Sequence, residues 1–422
     1  MCSSDLISTN ANTVWIGRQN RGTYSYDFYG HIDDVQFYDR ALSEAEILAI
    51  YSNQTNVTVA QETRGGEVWK ACITPNDGYE DGTEVCSNNV TVAPIAVVNV
   101  TVNSTRGTNL TTENLTANYV LANGSDRAII NWYRNGTSIT VLNMPFEGGS
   151  NTTWAKDYSG YGNNGSVTTL ANPPYVPWLA DGGYDGKGAY NFSLGYISIA
   201  DSNSLDVTGY ALTLEAWVYP RALTNFNAIV GKEDNDCSDD YWIYQFEGAT
   251  DVINFRVATD ISGRTGVASS ALSANQWYYV VGTYDGATLR LYINGVLNNS
   301  ADKTGTIETS TGPFSIGKYQ GCNKDQFNGI VDNVRVYNKT LSPEQILAIY
   351  NNRTDMILSN ETAAGDNWSA CITPNDGTLD GSEACSNNLT IVSNNPPTQG
   401  TPILNSTLGT NLTTENLTVY NQ

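Results

Sequence analysis

The chain has one histidine in 422 residues, His31, and the matching position of a second, similar segment is Ile330. A Ser-His-Asp set or a histidine zinc site therefore has no imidazole to draw on. Basic residues are scarce as well: Lys and Arg number 21 against 43 Asp and Glu, a formal net charge of −22. That balance argues against the basic patches that phosphate backbones and anionic lipids require, so no nucleic-acid partner is expected. No apolar run approaches the ~18 residues of a spanning helix, so no membrane insertion is expected within these residues. Residue 1 opens no secretory leader pattern. The seven cysteines contain no C-x₂-C pair of the kind that thiolate metal sites use.

What is present is repetition. Gly30-His31-Ile32-Asp33-Asp34-Val35, followed by Ile47-Leu48-Ala49-Ile50-Tyr51, returns as Gly329-Ile330-Val331-Asp332-Asn333-Val334, followed by Ile346-Leu347-Ala348-Ile349-Tyr350. Ala71-Cys72-Ile73-Thr74-Pro75-Asn76-Asp77-Gly78 returns unchanged from Ala370 to Gly377. Gly107 to Thr116 returns as Gly409 to Thr418. A lag of this length is a pair of domains rather than a solenoid unit. The chain reads as a little over one copy of a long module from a tandem array. The opening Met1-Cys2-Ser3-Ser4-Asp5-Leu6 matches a translated sequencing adapter. Residues 1–6 are therefore expected to be non-native and the sequence to come from a metagenome.

With Cys2 set aside, Cys72 and Cys86 recur as Cys371 and Cys385, each pair spanning a Pro-Asn-Asp-Gly turn. A long hairpin can join such cysteines, so disulfides Cys72–Cys86 and Cys371–Cys385 are expected, with Cys237–Cys322 as a third. Even pairing in an acidic chain points to an oxidising, extracellular or cell-surface setting. Asn-x-Ser/Thr sequons agree, and glycans are expected among Asn99, Asn103, Asn109, Asn114, Asn135, Asn338, Asn352, Asn367, Asn388, Asn411 and Asn416.

Short aromatic and β-branched runs dominate. Leu212 to Tyr219 alternates and stops at Pro220, and Trp277 to Tyr284 runs into Asp285-Gly286. Thr288 to Ile293 follows and ends at Asn294-Gly295, a strong hairpin signal. The fold expected is all-β. One short helix occurs twice. Ser43 and Ser342 are its caps, Pro343 takes the first helical position, and Glu46 and Gln345 complete capping boxes. Ile47, Leu48 and Tyr51 are expected to form its buried stripe.

The stretch from about Phe146 to Tyr350 resembles the LamG-like jelly roll, a concanavalin A-like sandwich. Four segments carry the resemblance: Asp157-Tyr158-Ser159-Gly160-Tyr161-Gly162-Asn163-Asn164-Gly165, Leu214-Glu215-Ala216-Trp217-Val218, Trp277 to Gly295, and Gly329 to Tyr350. Asn191 to Tyr196 departs from the family's Phe-Asp-Gly. The resemblance implies a structural calcium ion, held through the loop of Asp157 and Asn163 together with Asp332. It also implies glycan binding, with Asp239, Tyr241, Tyr319, Gln320 and Asn323 as a rim beside Cys237, near the acidic Asp234, Asp236 and Asp240. Retaining glucanases of this fold carry Glu-x-Asp-x-x-Glu on one strand, but here Glu215 is followed by Ala216, Trp217 and Val218. No enzyme is expected.

The remaining strands resemble an immunoglobulin-like or PKD-like domain into which the jelly roll is inserted. The boundaries expected are 1–52, the tail of a preceding LamG-like domain; 53–93, the last strands of a preceding Ig-like domain; and 94–140, the first strands of the next one. The inserted jelly roll then spans 141–351, the closing Ig-like strands 352–395, and a further Ig-like domain starts at 396–422. Together these imply a non-catalytic, glycan-binding or adhesive surface protein whose expected partners are glycans, cell-surface glycoproteins or neighbouring copies of itself. The alternatives are a purely structural surface-layer or fibre subunit, or an accessory binding region of a larger carbohydrate-active enzyme. The sequence also resembles surface proteins of uncultured archaea or bacteria.

Overall fold

The computed structural model describes residues 14, 16–21, 24–169, 178–193, 195–223, 228–233, 239–245, 251–261, 263–318, 326–395, 398 and 400–420. The chain divides into two compact units, Met1–Val92 and Ala93–Gln422.

The larger unit holds two eight-stranded antiparallel sheets. One is built around strand Gly329–Tyr337, which lies between Ala189–Phe192 and Leu212–Pro220 and also pairs with Thr140–Met144. It continues through Tyr278–Tyr284, Thr288–Ile293 and Val296–Asp302. The other sheet runs from Trp154–Ala155 through Gly165–Thr169, Gly195–Ile199, Phe314–Ile316, Ala228–Glu233, Asp239–Gln245 and Ile253–Thr259 to Gly263–Ala268. Strand side chains alternate between faces, so each sheet turns every second residue inward. Leu212, Leu214, Ala216 and Val218 meet Ile243, Phe255, Val257 and Phe314 in one dry core. Gly282 is needed on the inner face, because an added Cβ would stand 2.1 Å from the Phe255 ring. The Asn294-Gly295 turn joins its two strands with positive φ at both residues, as a type I′ turn requires.

Residues on either side of this sandwich pair with one another. Strand Arg127–Arg134 runs antiparallel to Asn367–Asn375 over eight positions, from Trp368 opposite Arg134 to Asn375 opposite Arg127. Thr137–Ser138, Ala384–Cys385 and Leu389–Thr390 complete that sheet. Facing it is a three-stranded sheet of Met356–Ile357, Leu115–Ala122 and Ala96–Ser104. A second core fills the space between. It combines Val102, Leu115, Trp132 and Trp368 with Trp217, Tyr279, Ile346 and Ile349 from the outer face of the large sandwich. The smaller sandwich's apolar interior therefore extends onto the outer face of the larger one, apart from the larger one's own core.

Helix Pro343–Tyr350 starts at the expected cap: Ser342 Oγ accepts Gln345 N at 3.2 Å. The capping box does not close. Gln345 turns away, donating to Met356 O at 3.0 Å and accepting Leu358 N at 2.8 Å. Glu361 takes its place on the Ser342 N–H at 2.7 Å. In the smaller unit, helix Glu44–Tyr51 repeats this arrangement. Ser43 Oγ caps Glu46 N, Glu46 accepts Val59 N at 3.1 Å, and Glu62 accepts Ser43 N at 2.6 Å. The helix is thus tied to the chain that follows it, a long-range use of a residue that looks like a local cap. The buried stripe also differs from expectation. It is Ile346 and Ile349 in the second copy, while Ile47, Leu48 and Tyr51 are exposed in the first.

The smaller unit contains hairpin Arg18–Arg21 with Tyr24–Asp27, and the pairs Val68–Trp69 with Val90–Thr91 and Cys72–Ile73 with Val85–Cys86. Disulfides Cys72–Cys86 and Cys371–Cys385 join the two matching hairpins. The expected Cys237–Cys322 pair lies outside the described residues.

Candidate functional site

The first strand of the jelly roll and the glycine-rich loop after it are held by one carboxylate. Asp157 Oδ1 accepts Asn143 N and Ser159 N, both at 2.9 Å. Its Oδ2 accepts Ser159 Oγ at 2.6 Å and Asn163 N at 2.9 Å. Asn163 is equally occupied. Its Nδ2 donates to Val141 O and Ser204 Oγ, and its Oδ1 accepts Ser202 Oγ at 2.8 Å. These are the contacts of a loop organiser.

Asp332 lies at the far end of a hydrogen-bonded relay from Asp157. Asn143, which donates to Asp157 through its backbone, accepts Arg335 Nε at 3.0 Å on its side chain. Arg335 Nη2 donates to Asn333 Oδ1 at 3.0 Å, and Asn333 Nδ2 donates to Asp332 Oδ1 at 3.1 Å. Asp332 Oδ2 also accepts Tyr184 N at 3.3 Å. Asp332 is completely buried. Burial first, and then the negative charges of Asp185 and Glu147, push its carboxyl well above the usual range. Gly183 is pressed against it: a Cβ there would stand 2.5 Å from Asp332 Oδ2.

Beside Asp332 opens a polar cleft of about 70 Å³ between the large sandwich and strand Arg127–Arg134. Tyr184 forms one wall, stacked on Trp217 at 3.8 Å between ring centroids with the planes 6° apart. Arg127, Glu147, Asp185, Lys187, Asn333 and Asn352 supply polar groups around it. Arg127 and Glu147 form an ion pair within the cleft. Burial raises the Glu147 carboxyl and the Arg127 charge opposes that rise. The sequence could not reveal this cleft, because its two sides come from segments far apart in the chain.

Glu215, the carboxylate of the strand compared with glucanases, does not face solvent. It is completely buried, and Oε1 accepts Arg335 Nη1 at 2.7 Å and Tyr337 Oη at 3.3 Å, while Oε2 accepts Tyr279 Oη at 2.6 Å. It serves the packing of three strands.

The expected glycan rim is corrected at Tyr241. Its ring lies in the inner core against Phe314, and its hydroxyl donates to Leu205 O at 2.9 Å. Strand alternation puts it on the same inner face as Ile243. Asp239 begins strand Asp239–Gln245. Tyr319, Gln320 and Asn323 lie outside the described residues, as do Asp234 and Asp236. Among the sequon asparagines, Asn99, Asn103, Asn135, Asn338, Asn352, Asn388, Asn411 and Asn416 are exposed; Asn109, Asn114 and Asn367 are half-buried.

A sequence model described as the concanavalin A-like lectin/glucanases superfamily matches residues 2–48 and 193–347, one stretch in each copy. No curated protein matches the chain. Similar solved structures include the binding domain of botulinum neurotoxin serotype G, at 17% identity and a TM-score of 0.40, covering 51% of this chain and 51% of that one. The binding domain of Paraclostridial Mosquitocidal Protein 1 matches at 18% identity and a TM-score of 0.40, covering 50% and 52%. Domain 4 of AbnA, an extracellular arabinanase from Geobacillus stearothermophilus in complex with arabinotriose, matches at 18% identity and a TM-score of 0.40, covering 50% of this chain and 98% of that domain. The chain spans about half the length of the two toxin binding domains. The fold is all-β, and its largest part is a two-sheet, concanavalin A-like jelly roll.

Proposed function

We propose that the chain is a non-catalytic, glycan-binding part of an extracellular repeat protein, with the jelly roll carried on an Ig-like sandwich. The observation that carries the reading is the cleft beside Asp332. It joins an aromatic wall, Tyr184 on Trp217, to a ring of charged and amide groups, which is the composition that sugar hydroxyls and C–H faces require. The lectin-type fold supports it, as does the engagement of Glu215 in a buried ion pair. The two disulfides support an oxidising compartment. No described helix is long and apolar enough to cross a membrane. Glycosylation of the exposed sequons belongs to the same reading.

Calcium belongs to it through Asp332. That carboxylate is buried among like charges, so a divalent cation would offset the repulsion from Asp185 and Glu147. Asp157 and Asn163 fit less well, because N–H and O–H donors already fill the Asp157 carboxylate. When bound, the ion would fix the Tyr184–Asp185 backbone beside the cleft.

The test is a glycan array with the full chain, in calcium and again in EDTA, repeated with Tyr184→Ala and Lys187→Ala. Binding lost in both variants supports the cleft. A folded chain that binds no glycan in either buffer overturns the reading.

A further inference from the structure

A second pocket, sharing no residue with the cleft beside Asp332, lies on the outer face of the first large sheet. Strands Tyr278–Tyr284 and Thr288–Ile293 turn Val280, Tyr284, Leu289, Leu291 and Ile293 into the core. Alternation then puts Thr283, Arg290 and Tyr292 on the opposite face, with Thr283 directly across from Arg290. The chain entering helix Pro343–Tyr350 is fastened beside them. Leu341 N donates to Thr213 Oγ1 at 2.9 Å, and Thr340 Oγ1 donates to Tyr284 O. Between the strands and this chain, with Asn360 and Glu361 at the far side, is a space of about 340 Å³. That is large enough for a small ligand.

The polar groups on the helix side are mostly spent. Ser342 Oγ accepts Gln345 N, and Glu361 takes both the Ser342 N–H and the Lys339 ammonium. Asn360 Nδ2 donates to Glu344 Oε2 at 3.2 Å, which leaves its amide oxygen open at the rim. The strand side is different. Thr283 is completely buried, yet its hydroxyl has no hydrogen-bond partner among the described residues. The Tyr292 hydroxyl is its neighbour but completes no bond with it. A buried hydroxyl left unpaired carries a desolvation cost that one added hydrogen bond removes. Arg290 spends only one N–H, in its bond to Asp285.

The charges around the pocket are already matched, Arg290 with Asp285 and Lys339 with Glu361. In a chain of net charge −22, nothing there favours a free anion. The open groups are hydroxyl and guanidinium donors with one amide acceptor, which complement a neutral ligand dense in hydroxyls. We propose that this pocket is a second binding site, for a ring of a neutral sugar, with Arg290 and Asn360 holding hydroxyls at its mouth and Thr283 meeting one at its floor. Thr283 is covered before the ligand arrives. Arg290 is partly exposed and held by Asp285 alone, so it is the side chain that swings aside to admit the sugar. The site does not rest on the cleft beside Asp332, and either can bind without the other.

The experiment is ligand-observed saturation-transfer NMR of the full chain with glucose, galactose, mannose and N-acetylglucosamine, and with glucuronic acid as the charged comparison. At least one neutral sugar is expected to bind the parent and Tyr184→Ala alike, since Tyr184 belongs to the other cleft. Thr283→Val keeps the side chain's shape and removes a hydroxyl that has no partner, so its urea midpoint should not fall. It should weaken binding about threefold to tenfold, the effect of one neutral hydrogen bond, and Thr283→Ser should restore it. Arg290→Met should weaken binding about tenfold or more, because its hydrogen bonds are charge-assisted. A parent that binds no neutral sugar, or that binds glucuronic acid more tightly, would overturn the proposal. So would parental affinity in Thr283→Val or Arg290→Met, a Thr283→Ser as weak as Thr283→Val, or binding lost in Tyr184→Ala.

Discussion

Replacing Arg335 with methionine separates the two roles of the relay around it. The guanidinium is the cation of a buried pair: Glu215 is completely enclosed and keeps only the hydroxyls of Tyr279 and Tyr337 when Arg335 is removed. Breaking a buried pair from one side costs about 3–5 kcal/mol, because an uncompensated charge remains. In the parent, burial works against the Arg335 charge and the Glu215 carboxylate outweighs it, so the guanidinium is held more firmly protonated than usual. Adding Glu215→Gln removes the stranded charge and leaves an amide oxygen for the tyrosines. The double variant should recover at least about half of the loss. Urea unfolding, followed by the near-UV circular dichroism of the stacked Trp217, measures this in parent, single and double variants. A loss below about 1 kcal/mol in Arg335→Met, or a double variant no more stable than the single, would refute the reasoning.

Further tests address other parts of the fold. Glu113 is held down to about 2 by hydrogen bonds from Ser104, then Thr108 and the Arg106 N–H. Its contribution is complete above the ordinary glutamate range near ~4.3 and is lost as pH falls toward 2. The stability gap between parent and Glu113→Gln should accordingly close on acidification, and a gap unchanged down to low pH would contradict this. Gly188→Ala would place a Cβ 2.1 Å from Phe146 O, against backbone that cannot rotate away. It should cost more than about 3 kcal/mol in thermal or urea unfolding, and a near-parental midpoint would refute the close approach. Ser342→Ala removes the acceptor of Gln345 N and should cost about 1 kcal/mol by the same measurement. Reducing Cys371–Cys385 opens a loop with a sequence separation of 14 and should cost about 3 kcal/mol, read as a shift in the urea midpoint between oxidised and reduced protein.

Local chemistry made much of the architecture legible. Asn294-Gly295 can hardly do other than turn a hairpin, since both residues tolerate positive φ. Cys371 and Cys385 face each other across a hairpin closed by the Asn375–Asp380 bridge, so their pairing follows from the turn between them. Ser342 caps its helix because the donor it satisfies is only three residues away. The alternation of strand Leu212–Pro220 announced one buried face, but its outer face is buried as well, by Tyr184, Tyr350 and the smaller sandwich. Sequence periodicity carries no record of such a second covering layer.

What the sequence by itself determined is the repeat, the strand-rich class, the turns and the two hairpin disulfides. All of these rest on neighbours within a few residues or on identical segments compared with one another. Only the tertiary structure decided that Glu215 belongs to Arg335, that Gln345 serves Met356 and Leu358 rather than its own cap, and that Tyr241 is core. It also set Asp157 and Asp332 at opposite ends of a relay and opened a cleft between strands on either side of the jelly roll. The physical reason is register: a partner many residues distant is set by how sheets align and pack, and one step along a strand moves a side chain to the other face.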